Sequence, residues 1–386
     1  MTLLGGPPAG DPVVAATSDE AYLLGMLAFE VGLAGALVDV GVVGREAAAA
    51  VADACDPAAF DVAQLAAAAA ASGTPVLPLV EALRARVGEA GASALHRGAT
   101  SQDVVDTATM LVARGAVEAL LEQLEGVAEL AAALAAEHAR TPALGRTLLQ
   151  PATPVTFGLK AAGWLVALDE AAARLEAVAD ERLAVQLGGG AGTLDGLGAD
   201  GPRVVAAHAT RLGLTEPVLP WHTDRTRVAE LAGALASAAG VLGKVALDLV
   251  LLAQAEVAEA TPRTGGRSSA MAHKRNPADA VRARAFAARA PQLAATLLAA
   301  MPQEHERAAG AWQSEWATLR DLLRVTGVSA TAVGTALADL ELAPDHMAAT
   351  LEASPAGEGS VGSAEALVAL ALAAHAARTR GQAPRP

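Results

Sequence analysis

The sequence predicts an all-α protein, a bundle of long helices preceded by a small N-terminal helical domain. Hydrophobic residues make up 53% of the 386 residues and aromatics only 2%. The interior must therefore be built from Ala, Leu and Val, which suits closely approaching helices better than an aromatic-rich sandwich. Apolar residues also recur at helical spacing over stretches of about 25 to 40 residues, each headed by a short polar segment, and helices of that length belong in bundles. Neither α/β alternation nor a repeat of fixed period is present.

The length allows two or three domains. The expected division is a mobile Gly- and Pro-rich N-terminus over 1–16, an N-terminal helical domain over 17–100, a central long-helix bundle over 101–343, and a shortened C-terminal helical segment with its tail over 344–386. Thr17 or Ser18 caps the first helix, in which Leu23, Leu24, Leu27, Val31, Leu33 and Leu37 keep helical spacing until Gly41. Shorter helices are expected around 45–55, 61–71 and 78–90, with Pro57 between the first two. In HRGATSQDVVDTATM, residues 96–110, Thr100 and Asp103 have the spacing of a capping box, and the helix behind them runs to about Arg140. Capping explains that pair, whereas His96 and Gln102 have no such structural need.

The polar connection TPALGRTLLQPATPVTFGLKAAGW, residues 141–164, leads into a helix ending near Leu183, and a glycine-rich turn follows at 186–198. LPWHTDRTR, residues 219–227, opens a helix to about Glu259. One helix from Pro277 to about Ala300, one from QEHERAAGAWQSEW (303–316) to about Leu340, and one from about Ser363 to Arg378 complete the set.

The formal net charge of −14 argues against a nucleic-acid surface. A single cysteine, Cys55, excludes an internal disulfide or a cysteine metal site and makes a reducing cytoplasm the default location. The N-terminus MTLLGGPPAGDP lacks the basic and apolar regions of a signal peptide. Charged residues interrupt the apolar stretches before about 18 residues, so no membrane span is expected. The eight histidines include no pair at helical ligand spacing, and neither a metal nor another cofactor is expected.

The longest polar interruption is TPRTGGRSSAMAHKRNP, residues 261–277, which gathers Arg263, Arg267, Ser268, Ser269, His273, Lys274, Arg275 and Asn276. Gly265 and Gly266 let the backbone turn, and Asn276 before Pro277 reads as an N-cap with proline in the first helical position. Backbone N–H groups at a helix start beside lysine and arginine favour a carboxylate or phosphate. A solvated connection between helices accounts for the same composition.

Taken together, HRGATSQD, GRTLLQPATPVTFGLKAAGW, QLGGGAGTL, WHTDRTR, SSAMAHKRNP and HERAAGAWQSEW resemble the fumarase/aspartase superfamily, and within it the 3-carboxy-cis,cis-muconate cycloisomerases. The superfamily signature GSSxMxxKxN is matched from Ser268 through Asn276, the likeness runs from about residue 20 to about 350, and Trp312 with Trp316 favours the cycloisomerase branch. The resemblance implies an all-α subunit of the fumarase/aspartase type in a homotetramer, with each active site assembled from the segments around Thr100, Thr147 and Ser268 of three subunits. It implies a small tricarboxylate substrate and the reversible lactonisation of 3-carboxy-cis,cis-muconate to 4-carboxymuconolactone in protocatechuate catabolism, the β-ketoadipate pathway. Fixed donors would stabilise an aci-carboxylate intermediate. By the same resemblance Ser268 transfers the proton, Lys274 and Asn276 bind carboxylate, and Thr100, Ser101, Thr147 and Gln150 supply hydrogen bonds. Ser269, Met271 and Arg307 join the substrate-binding set, His96 and His305 bind substrate or position neighbours, and His222 and His273 are equally explained as structural.

The chain departs from the family pattern at several places. Arg267 stands where relatives carry glycine, Ala272 where proline is common, and Pro151 where cycloisomerases often have histidine. Leu148 occupies the place of a lyase histidine or a cycloisomerase tryptophan, which counts against adenylosuccinate lyase chemistry and leaves the second acid/base group unassigned. The C-terminal domain stops after about one helix. The alternatives to a cycloisomerase are another fumarate-releasing lyase and a catalytically silent paralogue that keeps the scaffold.

Overall fold

The computed structural model describes residues 6–271, 274–355 and 357–381. Helix α1 (Pro12–Ala16) starts at Asp11, whose carboxylate accepts from the backbone N–H groups of Val13 and Val14 at 3.0 and 3.3 Å. Pro12 fits the first turn because it needs no donor there. Val13 is fully buried, and Asp11 also accepts from Gln123 and Thr331. The segment expected to be mobile is thus packed from Asp11 onward, while its residues 1–5 lie outside the described residues. Ser18 caps α2 (Asp19–Val40), which ends at Gly41 with φ of 85°. The layer continues through α3 (Arg45–Ala54), α4 (Val62–Ser72) and α5 (Val76–Gly91), the last kinked at Gly88.

The bundle begins with α6 (Ser101–Glu137), a helix of 37 residues, and therefore about 55 Å long. The polar connection after it is an antiparallel hairpin, β1 (Pro142–Thr147) with β2 (Gln150–Thr156), paired from Pro142↔Thr156 to Thr147↔Gln150. α7 (Phe157–Arg182) returns along α6, and α8 (Gly201–Leu212), which has no counterpart in the sequence expectations, packs on α2. α9 (Thr226–Leu252) ends before Glu259 because the backbone leaves the helix to form β3 (Ala260–Pro262). Residues 261–277 contain a second small hairpin, β4 (Gly266–Arg267) with β5 (Arg275–Asn276).

The single helix expected from Pro277 to Ala300 is two, α10 (Ala278–Ala287) and α11 (Ala290–Ala299). Pro291 in the first turn of α11 has no N–H to continue the α10 ladder. Asn276 does not cap α10 but donates its side chain to the Gly266 carbonyl at 3.3 Å, and Pro277 takes the cap position. α12 (Ala311–Ala338) leads to β6 (Leu340–Leu342), which pairs with β3, and then to α13 (Pro344–Glu352) and α14 (Ala364–Thr379).

The class is all-helical as expected, with three two-stranded sheets among the described residues, added at the helix ends. One hydrophobic cluster runs from Val13 to Ala371. By length and composition alone α2 and α9 are long and apolar enough to cross a membrane, although Glu30 interrupts the first and Lys244 and Asp248 the second. Both pack as core helices, α2 on α6 and α8, α9 on α7 and α12. The antiparallel course of α6 and α7 gives the bundle two ends. The starts of α6, α9 and α12 share one with the glycine-rich turn, and the hairpin β1–β2 shares the other with residues 259–271 and 274–277.

Candidate active site

At the head of α6 the chain builds a buried polar network. The Asp103 carboxylate, fully buried, accepts from Thr100 N–H at 2.9 Å, from Gly188 and Gly189 N–H at 3.0 Å each, and meets His222 Nε2 at 2.7 Å. Gly189 can present its N–H there because its φ is 73°. Asp106, one turn on, accepts from Trp312 Nε1 at 2.9 Å and from both terminal nitrogens of Arg225 at 2.9 and 3.0 Å. Arg225 also grips Glu315 at 2.6 Å and lies 4.9 Å from the Trp221 ring centre. Burial opposes the charge of Arg225, but Asp106 and Glu315 more than offset it and raise its pKa above the ordinary value. Burial raises Glu315, with Arg225 acting in the opposite direction.

Several residues singled out from the sequence sit on this frame. His96, with φ of 53°, has Nδ1 2.7 Å from the fully buried Glu30 and donates its backbone N–H to the same carboxylate at 2.9 Å. Arg307 donates to Gln102 Oε1 at 3.1 Å and to the Gly190 carbonyl at 2.7 Å. Gln102, read as free of structural duty, is fully buried and also donates to the His222 carbonyl at 2.8 Å, so it is part of the frame. His222 is held the same way. Ser101 opens α6, and His305 is exposed on the connection before α12 with φ of 47°.

The other candidates lie at the opposite end. Thr147 and Gln150 close the tip of the β1–β2 hairpin, and both are exposed. The two residues of the turn, Leu148 and Leu149, have φ of 52° and 63° and exposures of 95% and 75%. Ser268, between β4 and β5, accepts on Oγ from the backbone N–H groups of Ala270 and Met271 at 3.3 and 3.1 Å. Ser269, Met271 and Lys274 are exposed, and Asn276 is half-buried. Ala272 and His273 lie outside the described residues. Asp339 anchors the loop base through Thr264, while Arg146 pairs with Glu259 at 2.6 Å and ties the hairpin to the same end. One chain therefore gathers His96, Thr100, Ser101, His305 and Arg307 at one end, and leaves Thr147, Gln150 and the Ser268 loop at the other, separated by about the 55 Å length of α6.

Residues 8–291 match the family described as Lyase. The chain belongs to this lyase family. Among its relatives, a 3-carboxy-cis,cis-muconate cycloisomerase of Bradyrhizobium diazoefficiens is 46% identical over 88% of this chain and 77% of its own length. A nitrosuccinate lyase of Streptomyces davaonensis is 42% identical over 98% of this chain and 85% of its own. The crystal structure of 3-carboxy-cis,cis-muconate lactonizing enzyme from Pseudomonas putida superposes with a TM-score of 0.87 at 34% identity, covering 95% of this chain and 97% of that one.

In this lyase the sequence expectations missed the frame beneath the site. Glu30 and Asp106 are charged residues on largely apolar helical faces, and that was the available signal there, because a buried charge must be paired, whereas Arg225 and Glu315 lie in polar segments at helix starts. Among the described residues no cluster of metal-ligating side chains occurs.

Proposed function

We propose that this lyase is a 3-carboxy-cis,cis-muconate cycloisomerase, interconverting that tricarboxylate and 4-carboxymuconolactone in protocatechuate catabolism. The observation that carries this reading is the agreement, over nearly the whole chain, with a relative and a solved structure of that activity. In the lactonising direction one carboxylate adds across a double bond while a proton is delivered beside another carboxylate. The reverse reaction removes that proton and spreads negative charge into an aci-carboxylate.

Ser268 transfers the proton in this reading. Two backbone N–H groups already point their donors at its Oγ, and such donors, with Lys274 nearby in sequence, are what a serine needs to act through its alkoxide. Lys274 and Asn276 bind carboxylate, joined by Thr100, Ser101, Thr147 and Gln150, whose hydroxyls and amides hold the anion without the grip of a bidentate guanidinium. Ser269, Met271, His96, His305 and Arg307 complete the substrate contacts. His96 is suited to a fixed orientation because Glu30 fastens one side of its ring.

The separation of the two residue groups supports a homotetramer with shared sites, since antiparallel copies bring opposite bundle ends together. The enzyme works in the cytoplasm in this reading. Addition of 3-carboxy-cis,cis-muconate to the purified protein is expected to bleach the muconate absorbance, and light scattering is expected to report four chains. A folded tetramer that leaves the absorbance unchanged would sink the proposal.

A second reading follows from the nitrosuccinate lyase relative, which matches more of the chain than the cycloisomerase does. Leu148 offers no acid or base, and nitrite is a weakly basic leaving group that needs none. Nitrite release from nitrosuccinate, without muconate turnover, would select this reading. Turnover of neither substrate nor of adenylosuccinate would leave the silent scaffold.

A further inference from the structure

On α2, Glu30 stands in an apolar stretch with the buried Met26, Leu27, Phe29 and Leu33, and its carboxylate is fully buried. A carboxylate so placed must be matched by donors. Among the described residues both of its matching groups belong to His96. The backbone N–H donates to Oε2 at 2.9 Å, and Nδ1 lies 2.7 Å from Oε1. His96 takes a φ of 53° to do this, a left-handed setting that residues other than glycine adopt at a cost.

The other ring nitrogen is open. Among the described residues Nε2 has no partner, the side chain is 14% exposed, and the chain runs from His96 straight to Thr100 at the start of α6. Among the same residues no other cation pairs with Glu30. Cys55, at the end of α3, stays neutral because burial and then the Glu30 charge push its thiol up to about 12. On α5 Arg86 donates to the Ala54 carbonyl, and Arg97 donates to that of Ser93. On α8 burial pushes His208 down to about 4 and keeps it neutral. On α6 Asp103 and Asp106 are engaged by His222 and Arg225.

We propose that Glu30 is a positioning residue that couples the binding of a substrate carboxylate to proton uptake by His96. With Nδ1–H donated to Glu30, Nε2 is the nitrogen left to meet a ligand. An imidazole set between two carboxylates, Glu30 on Nδ1 and the ligand on Nε2, needs a hydrogen on each nitrogen, since a bare nitrogen would turn its lone pair on an anion. One proton therefore moves from solvent to Nε2 as the carboxylate arrives, and the buried charge of Glu30 is balanced in the same step. The inference rests on the reading of the head end as a carboxylate-binding surface.

Calorimetric titration of the full-length protein with propane-1,2,3-tricarboxylate, run in HEPES and in Tris, counts the protons taken up, because the two buffers release them with different heats. At about pH 7.5 the probe's own carboxyls are ionised. Uptake approaching one proton per site is expected. In Glu30→Gln the uptake should fall toward zero and the affinity by about tenfold or more. In His96→Gln, whose amide takes no proton, uptake should vanish, and thermal melts check that both variants fold. Absent binding, absent uptake in the parent, or uptake unchanged in Glu30→Gln would overturn the proposal. Weaker binding with the same proton count would reduce Glu30 to a structural role. The probe is not turned over, so proton uptake without muconate conversion leaves the proposal standing, and conversion without uptake sinks the proposal alone.

Discussion

The two ends of the bundle differ in how their functional residues are held. At the head of α6, Asp103 and Asp106 are saturated with donors, and Arg225 and Glu315 are buried against them. At the far end, Ser268 is bonded, among the described residues, only to its own loop, and two leucines sit in a strained turn with their side chains in solvent. One end is positioned by the chain's own interior. In the proposed tetramer the other meets another subunit's head end. Under the proposed function, such a division puts the residues fixed by burial where an anion is oriented and the proton-carrying serine on a less buried loop.

The largest effect is expected at the less buried end, at Ser268. Ser268→Ala should lower kcat by at least about 10²–10⁴, the usual range for losing a positioned acid or base, with the melting temperature and the tetramer unchanged. Near-normal turnover would remove Ser268 from the chemistry and leave the head end to account for proton transfer. The matching test at the rigid end is Arg225→Met. It strands Asp106 and Glu315 as two buried carboxylates, and breaking a buried pair of this kind costs about 3–5 kcal/mol. Denaturant unfolding should show that loss. A variant as stable as the parent would mean that the network is solvated, and the contrast between the two ends would dissolve.

The same contrast explains what could be read from the sequence. Periodicity located the long helices, because burial of an apolar stripe is a local pattern repeated many times, and Ser18, Gly41 and the Thr100–Asp103 pair announced themselves by cap chemistry. Pairings between distant segments left no such trace. Nothing local ties Gln102 to His222 or Arg225 to Glu315, so the frame stayed hidden although each residue lay in a stretch marked as polar. The hairpin at 142–156 was also missed: it is short, rich in proline, and stabilised by a tertiary ion pair, Arg146 with Glu259. Asn276 misled for a related reason, since its preference for a helix cap lost to pairing across β4 and β5.

Between the two ends, α8 carries a titration that should loosen the rigid end selectively. His208 is fully buried, stacks edge-on with Phe29 at 4.8 Å, and has neither ring nitrogen satisfied by a side chain. Burial pushes its pKa down from 6.5 to about 4. The unfolded chain therefore binds the proton more readily, so stability should fall as the pH drops below 6.5 and level off near 4, by about 3 kcal/mol at most. Phe29 adjoins Glu30, which fastens His96, so the head end should feel the change before the Ser268 loop does. His208→Leu should flatten the denaturant midpoint between about pH 5 and pH 7.5. A parent protein already flat over that range would show that His208 is solvated or paired.

The smallest effect concerns the hairpin tip, where the comparison can be inverted. Leu148 and Leu149 occupy left-handed backbone positions, at roughly 1–2 kcal/mol each for an ordinary side chain, and a two-residue turn of this type prefers Asn-Gly. Strain and exposed apolar surface together lose stability in a lone chain, so both are consistent with a tip selected for contact in the assembly. Replacing the pair by Leu148→Asn and Leu149→Gly should raise the stability of the separated chain by about 1–2 kcal/mol, while shifting the assembly toward smaller species at low protein concentration. Unfolding at high dilution and light scattering across concentrations measure the two halves of that statement. A tip that gains stability without weakening assembly would mean that the leucines face substrate rather than a subunit, and a tip that gains nothing would mean that the turn is not strained.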